Sequence, residues 1–110
     1  MILKPELKLP ADDPVLADPR HYAIEFENER VRVLRAKYGP REKSPMLRIP
    51  DMITVSLTDR DFKLTRPDGR TQRLFGKAGE IGWYDARRHQ PENMSAQPYE
   101  GILILLKDSK

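Results

Sequence analysis

The stretch MITVSLTDRDFKLTRPDGRTQRLF, residues 52–75, decides the fold class of this sequence. Its first seven residues alternate in polarity and group Ile53, Val55 and Leu57 on one face, as in a β-strand. Two further segments of strand composition flank Pro67-Asp68-Gly69. A Pro-Asp-Gly sequence favours a tight turn, so these two segments are predicted to form a β-hairpin.

The same signals continue on both sides of this stretch. In the segment 30–38 the alternation slips between Val33 and Leu34, which indicates a β-bulge or a strand covered on both faces. Residues 102–106 are all apolar, so both faces of the last strand are expected to be covered. Some eight or nine short strands, with no segment of helical period, predict an all-β barrel or sandwich. Further strands are predicted at 22–27, 80–84, 89–94 and 101–107.

The first 20 residues differ in composition from the rest. Four prolines, at positions 5, 10, 14 and 19, interrupt any regular helix or strand period. We interpret residues 1–20 as a proline-rich extended arm that lies on the body of the domain, with a frayed terminus as the alternative. Residues 21–110 are then the barrel domain. The candidate apolar anchors of the arm are Ile2, Leu3, Leu7 and Leu9.

Length and composition exclude several classes of protein. A chain of 110 residues builds one core, and the absence of cysteine excludes disulfides, zinc knuckles and thiol nucleophiles. The longest apolar run is too short to cross a bilayer and the N-terminus lacks a signal-peptide pattern, so we expect a cytoplasmic protein without a membrane partner. The net charge of +3 is spread along the chain and does not favour a nucleic-acid partner.

Two stretches carry a family resemblance. The first is GPREKSPMLRIPD, residues 39–51, and the second is GEIGWYDARRHQPEN, residues 79–93. With the hairpins between them, they resemble the two motifs of a small single-domain cupin (cupin type-2 barrel), and the resemblance covers about residues 20–107. It implies a double-stranded β-helix, or jelly-roll, barrel with an N-terminal arm.

The sequence departs from the cupin pattern at the metal ligands. In a cupin the metal is held by two histidines of the first motif, often a glutamate soon after them, and the histidine of the second motif. The two first-motif positions are here Leu47 and Ile49, whereas the second motif keeps His89 and Asn93. Leucine and isoleucine have no lone pairs, and transition metals need three or more N or O ligands. We therefore predict a degenerate metal site and no cofactor.

A barrel without its metal still has a concave interior that can bind a small molecule. The leading hypothesis is a metal-free cupin that binds a small organic ligand, an anionic one included. The resemblance places Tyr38, Leu47, Ile49, Trp83, His89 and Asn93 at the ligand, with Lys43, Arg87 and Arg88 around the entrance. Each of these roles has a structural alternative. These are a core-edge position with one hydrogen bond for His89, a core position for Trp83, a cap on the barrel end for Tyr38 and a solvated loop for the arginines. The charged residues Arg30, Arg32, Arg35 and Lys37 are expected to face solvent.

Three other functions remain open. The first is a metal-independent isomerase, lyase or cyclase with His89 as general acid or base, Tyr38 as partner donor and Arg87 as anion clamp. The second is a structural or regulatory homodimer that covers the apolar last strand or exchanges arms. The third is a metal-dependent cupin with His89, Glu92 and Asp51 as substitute ligands.

Overall fold

The computed structural model describes residues 9–107 of the chain. Nine strands and one helical turn lie in this range, so the predicted all-β class is confirmed. The expected anchors Ile2, Leu3 and Leu7 lie outside the described residues. The helix has only four residues and is too short to cross a membrane. The elements are α1 (Pro14–Ala17), β1 (Tyr22–Glu27), β2 (Val31–Tyr38), β3 (Leu47–Ile49), β4 (Met52–Ser56), β5 (Arg60–Thr65), β6 (Thr71–Gly76), β7 (Ile81–Tyr84), β8 (Arg87–Asn93) and β9 (Tyr99–Leu106).

The strands form two antiparallel sheets that face each other. Their orders are β1-β2-β9-β4-β7 and β3-β8-β5-β6. Because the chain crosses between the sheets at most connections, strands distant in sequence become neighbours, as in a jelly roll. The inner faces enclose the core, whose largest buried side chains include Tyr38, Leu34, Leu47, Ile49 and Leu105.

The hairpin predicted around Pro67-Asp68-Gly69 is confirmed. Strands β5 and β6 pair along their full length, and Arg66 N–H donates to Arg70 O at 2.8 Å across the turn. Gly69 has a φ of 88°, in the left-handed region that glycine adopts without a steric cost.

Strand β2 differs from the expectation in one respect. It pairs continuously with β9 and buries every second residue, so no bulge lies at Val33–Leu34. The irregular register lies in β1 instead, between Ile24 and Phe26. The alternation of apolar and polar residues is interrupted in β2 because Arg32 occupies an inward position. Its side chain is only 5% exposed. The expectation that Arg32 faces solvent is therefore wrong.

Arg32 is buried because the N-terminal segment supplies its counter-ion. Its guanidinium donates to both carboxylate oxygens of Asp13, at 2.7 and 3.0 Å. The same carboxylate caps α1 by accepting from the Val15 and Leu16 N–H groups. The segment around α1 is therefore fastened to β2 of the barrel by this ion pair.

The outer face of the five-stranded sheet carries the apolar residues that the alternation grouped together. In β4 the residues Met52, Thr54 and Ser56 are buried inside, whereas Ile53 and Val55 lie half-buried on the outside. Strand β9 follows the same rule, with Leu103 inside. Its inner face is thus covered by the core, while its outer face, Ile102, Ile104 and Leu106, stays partly exposed among the described residues.

Candidate functional site

A cavity of about 60 Å³ lies between the two sheets. About four to six water molecules would fill this volume, because one water molecule needs roughly 10–15 Å³. Its apolar wall is formed by Ala36, Ile49, Met52, Phe62, Leu64, Leu74, Pro91 and Leu103. Its polar wall is formed by Tyr22, Tyr38, Thr54, Arg60, Tyr84, His89 and Tyr99.

His89 reaches this cavity from β8. Alternate residues of β8 are buried, and His89 is only 4% exposed. Its Nδ1 atom is buried and has no hydrogen-bond partner among the described residues. Burial, followed by the positive charge of Arg87, lowers the pKa of His89 to about 4. The imidazole is therefore neutral near pH 7, with one nitrogen as donor and the other as acceptor.

The two first-motif positions face the interior, as the resemblance implies. Leu47 is fully buried and Ile49 is 2% exposed. Leu47 lies directly opposite His89 in the β3–β8 pairing, and Ile49 lies opposite Arg87. Among residues 9–107 no group of three or more His, Cys, Asp or Glu side chains could hold a metal ion. The residues beside His89 therefore do not provide the ligands that the metal of the cupin motifs would need.

The alternative ligand set of His89, Glu92 and Asp51 is wrong. Glu92 lies on the opposite face of β8 from His89, because β8 buries every second residue, and it pairs with Lys63 at 3.5 Å. Asp51 is exposed, and its Oδ1 atom accepts from the Ala86 N–H at 2.7 Å. The three side chains do not converge on one point.

Arg60 and Tyr84 belong to the cavity wall although the sequence did not single them out. Arg60 Nη2 donates to the Tyr84 hydroxyl at 2.9 Å, and its guanidinium carbon lies 5.6 Å from the ring centre. Arg87 lies 5.5 Å from the same ring centre. The Nε atom of Arg60 is buried and has no partner among the described residues. An arginine in an alternating strand gives no signal in sequence that it faces inward.

Gly82 makes room for the Tyr84 ring. A Cβ atom at position 82 would lie 3.0 Å from Cε2 of Tyr84. Glycine at this position therefore allows the ring to fold back along β7 toward Arg60.

Tyr38 lines the cavity with its ring, but its hydroxyl is already bonded. The hydroxyl lies 2.5 Å from the Tyr22 hydroxyl and 2.6 Å from Ser44 Oγ. The ring stacks on His21 with a centroid distance of 4.2 Å. Burial raises the pKa of Tyr38 well above its ordinary value, which makes it a poor proton donor at neutral pH. The role of partner donor to a ligand therefore requires this bonded hydroxyl to rearrange.

The bonded hydroxyl belongs to a polar chain that closes this end of the barrel. Ser44 Oγ donates to Asp18, whose carboxylate lies 2.8 Å from His21 Nδ1. His21 Nε2 lies 3.0 Å from Glu42 Oε1. This network, which links the N-terminal segment to the loop before β3, was not predicted. Its members are far apart in sequence and have no motif spacing.

Four predicted site residues lie away from the cavity wall: Leu47, which packs in the core, Trp83, Asn93 and Lys43. Trp83 is 51% exposed on the outer face of β7, and its indole N–H donates to Asp85 at 2.9 Å. The expectation that it lines the interior is wrong, because Gly82 and Tyr84 hold the inward positions. Asn93 is buried, but its amide nitrogen donates to the backbone oxygens of Gly39 and Gln97, at 3.0 and 2.9 Å, and fastens a loop. Lys43 is exposed.

The two entrance arginines separate onto opposite faces of β8. Arg88 is exposed and donates to Asp12 at 3.0 Å. Arg87 shares the inward face with His89, and both arginines line a second, larger groove of about 1310 Å³. The wall of this groove includes Leu9 and Pro10, where the described chain begins. The smaller cavity, which His89 and Arg60 line, is the candidate site.

Comparison with known proteins identifies the fold. No protein-family profile matches the chain, and no curated protein matches it. A cupin domain from Bordetella pertussis Tohama I superimposes with a TM-score of 0.73 at 21% identity, over 79% of this chain and 92% of that one. An RmlC-like cupin from Methanocaldococcus jannaschii gives a TM-score of 0.59 at 17% identity, over 96% and 92%.

One similar structure is an enzyme of known reaction type. The polyketide cyclase RemF from Streptomyces resistomycificus gives a TM-score of 0.53 at 16% identity, over 74% of this chain and 57% of that one. Likeness at such low identity establishes the fold alone. The chain has the cupin fold, a double-stranded β-helix barrel, as the resemblance in sequence implied.

Proposed function

We propose that this cupin-fold protein binds a short-chain carboxylic acid inside the barrel without a metal. One observation carries the proposal: His89 Nδ1 and Arg60 Nε are buried nitrogens without a partner among residues 9–107, and both residues line the same cavity. Buried polar atoms are almost always paired. We infer that a ligand in this cavity would present oxygen atoms to these two residues.

The charges around the cavity favour an anion. The guanidinium of Arg60 carries a positive charge. Arg87 adds a second positive charge near Tyr84. No aspartate or glutamate from the described part of the chain lines the cavity, although the Glu80 carboxylate lies near Arg60 beside Gly76, outside the cavity wall. A carboxylate would accept hydrogen bonds from Arg60 and from a protonated nitrogen of His89.

The size and polarity of the cavity restrict the ligand further. A volume of about 60 Å³ suits an acid of about two to four carbon atoms. Leu64, Met52 and Leu103 lie on the apolar wall and would contact its alkyl part. Larger acids would have to displace core side chains, which costs free energy in a close-packed interior.

A metal-independent isomerase, lyase or cyclase is the second candidate. It has the support of a neutral His89 whose Nδ1 atom is free to accept a proton. Two facts weigh against it. A base with a pKa of about 4 is weak at neutral pH, and the Tyr38 hydroxyl is bonded to Tyr22 and Ser44. Ligand binding, in contrast, requires neither proton transfer by His89 nor rearrangement of the Tyr38 hydroxyl.

Calorimetric titration with acetate, propionate and lactate tests the proposal. The wild type should bind at least one of these acids saturably, and Arg60→Gln should weaken that binding by about tenfold or more, because a charged hydrogen bond is lost. Arg73→Gln is the matched control, since Arg73 is exposed on β6 and bonded to Asp61. Equal affinity in the two variants, or no binding of any acid, would contradict the proposal.

A further inference from the structure

The hydroxyl of Thr54 is a polar group of the cavity that the ligand contacts described above do not use. Thr54 lies on the inward face of β4, is only 5% exposed and lines the same cavity as Arg60 and His89. The hydroxyl of Ser56, the next inward residue of this strand, is bonded to the Tyr99 hydroxyl at 3.1 Å. The Thr54 hydroxyl has no such partner among residues 9–107, although buried polar groups are almost always paired.

The strands on either side of Thr54 leave space beside its hydroxyl. Thr54 pairs with Leu103 on one side and with Gly82 on the other, and neither neighbour has a polar side chain. A Cβ atom on Gly82 would lie 3.5 Å from Thr54 Oγ1 and 3.4 Å from the Tyr84 hydroxyl oxygen. The two hydroxyls therefore flank the space that a side chain at position 82 would occupy.

The Tyr84 hydroxyl links this space to the positive charge of Arg60. It accepts a hydrogen bond from Arg60 Nη2 at 2.9 Å, so its own proton is left to donate to another group. The Thr54 hydroxyl can both donate and accept. A ligand hydroxyl placed between them would accept from Tyr84 and donate to Thr54, whereas an alkyl group would leave both unsatisfied.

We propose that Thr54 makes the site selective for a 2-hydroxy acid over the unsubstituted acid of the same length. The inference rests on the proposed function, because it requires a carboxylate bound beside Arg60. A 2-hydroxy acid carries its hydroxyl on the carbon atom next to the carboxylate. A carboxylate at Arg60 would thus bring that hydroxyl toward Tyr84, the contact partner of Arg60, and toward Thr54 beyond it.

The remaining wall of the cavity fits the rest of such a ligand. Met52 precedes Thr54 on the inward face of β4, and Leu103 lies opposite Thr54 on β9. Both are apolar residues of the cavity wall and would contact the short alkyl end of the acid. The three parts of a 2-hydroxy acid therefore each have a chemically matching group in the wall.

Calorimetric titration with lactate and propionate, which differ by one hydroxyl, tests the proposal. The wild type should bind lactate about tenfold or more tightly than propionate, because propionate leaves two buried hydroxyls unpaired. Thr54→Val removes the hydroxyl and nearly keeps the shape, so it should weaken lactate binding to the level of propionate and change propionate binding by about twofold at most. Thr65→Val is the matched control, since Thr65 lies on the outward face of β5 and should keep the preference.

The comparison of the two acids on the wild type requires no substitution, so it decides the question even where Thr54→Val lowers the stability of the fold. Equal affinity of the wild type for lactate and propionate would overturn this inference and leave acid binding in place. A preference for lactate that survives in Thr54→Val, or that Thr65→Val removes equally, would also overturn it. Failure of the wild type to bind either acid would overturn it together with the proposed function.

Discussion

Leu47 lies directly opposite His89 in the antiparallel pairing of β3 and β8, with both side chains buried inside the barrel. A hydrocarbon side chain thus stands where a cupin motif would provide a second imidazole. This apolar neighbour contributes to the burial that lowers the pKa of His89 to about 4. The pairing therefore leaves a neutral imidazole beside a small cavity, with no second imidazole opposite it.

Restoring both motif histidines should create a metal site. Leu47→His combined with Ile49→His places three inward imidazoles on two paired strands, and the chain should then retain about one zinc or nickel ion after dialysis. Elemental analysis measures this directly. The control is Leu47→His combined with Arg48→His, because Arg48 faces outward. Retention of stoichiometric metal by the wild type, or by the control as strongly as by the test variant, would contradict the account of the motif.

His89 should make the stability of the protein depend on pH. Its pKa is about 4 when folded and 6.5 in its ordinary state, so the unfolded chain binds more protons between these values. The free energy of unfolding should therefore fall as the pH drops through this window, by about 2 kcal/mol more between pH 7 and pH 4.5 in the wild type than in His89→Gln. Urea denaturation at both pH values measures it. Identical pH dependence in the two proteins would show that His89 titrates normally.

The ion pair between Asp13 and Arg32 should be essential to the fold. Asp13→Ala leaves a buried guanidinium without its counter-ion and removes the cap of α1, so the free energy of unfolding should fall by about 3 kcal/mol or more. Asp12→Ala is the matched control, since Asp12 contacts the exposed Arg48 and Arg88. Its effect on thermal unfolding should be small because solvent screens these pairs. Equal effects of the two substitutions would be inconsistent with a buried Asp13.

The network around Ser44 should act as one unit. Ser44 donates to Asp18 and also contacts the Tyr38 hydroxyl. Ser44→Ala and Tyr38→Phe should each lower the free energy of unfolding by about 1–3 kcal/mol, because each leaves buried polar partners unsatisfied. A double-mutant cycle by urea denaturation should give a loss for the pair that is clearly smaller than the sum. Strict additivity would mean that the two side chains do not share a network.

The sequence predicted the positions of the strands better than it predicted which face of each strand is buried. Alternation located β4 and the hairpin at Gly69, because local periodicity and turn chemistry determine both. It grouped Ile53 and Val55, but periodicity alone does not say whether such a face points to the core or outward. On β2 the inward Arg32 broke the pattern, since its partner Asp13 is remote in sequence.

The candidate site was predicted where a motif exists and missed where only tertiary contacts define it. Leu47, Ile49 and His89 face the interior as the cupin resemblance implied. Arg60 and Tyr84 had no motif to mark them, and their contact depends on the approach of two sheets. The resemblance placed Trp83 in the interior. The side chains of β7 alternate between its two faces, however, and Trp83 lies on the outer one.

The pKa of His89, measured by NMR with and without a saturating short-chain carboxylate, tests the central claim most directly. The protein has two histidines, so His21, which lies in the network with Asp18 and Glu42, serves as an internal reference. A carboxylate bound beside His89 would stabilise its protonated form, and we expect its pKa to rise from about 4 by about one unit or more. An unchanged His89 pKa under saturating acid would contradict ligand binding in the barrel.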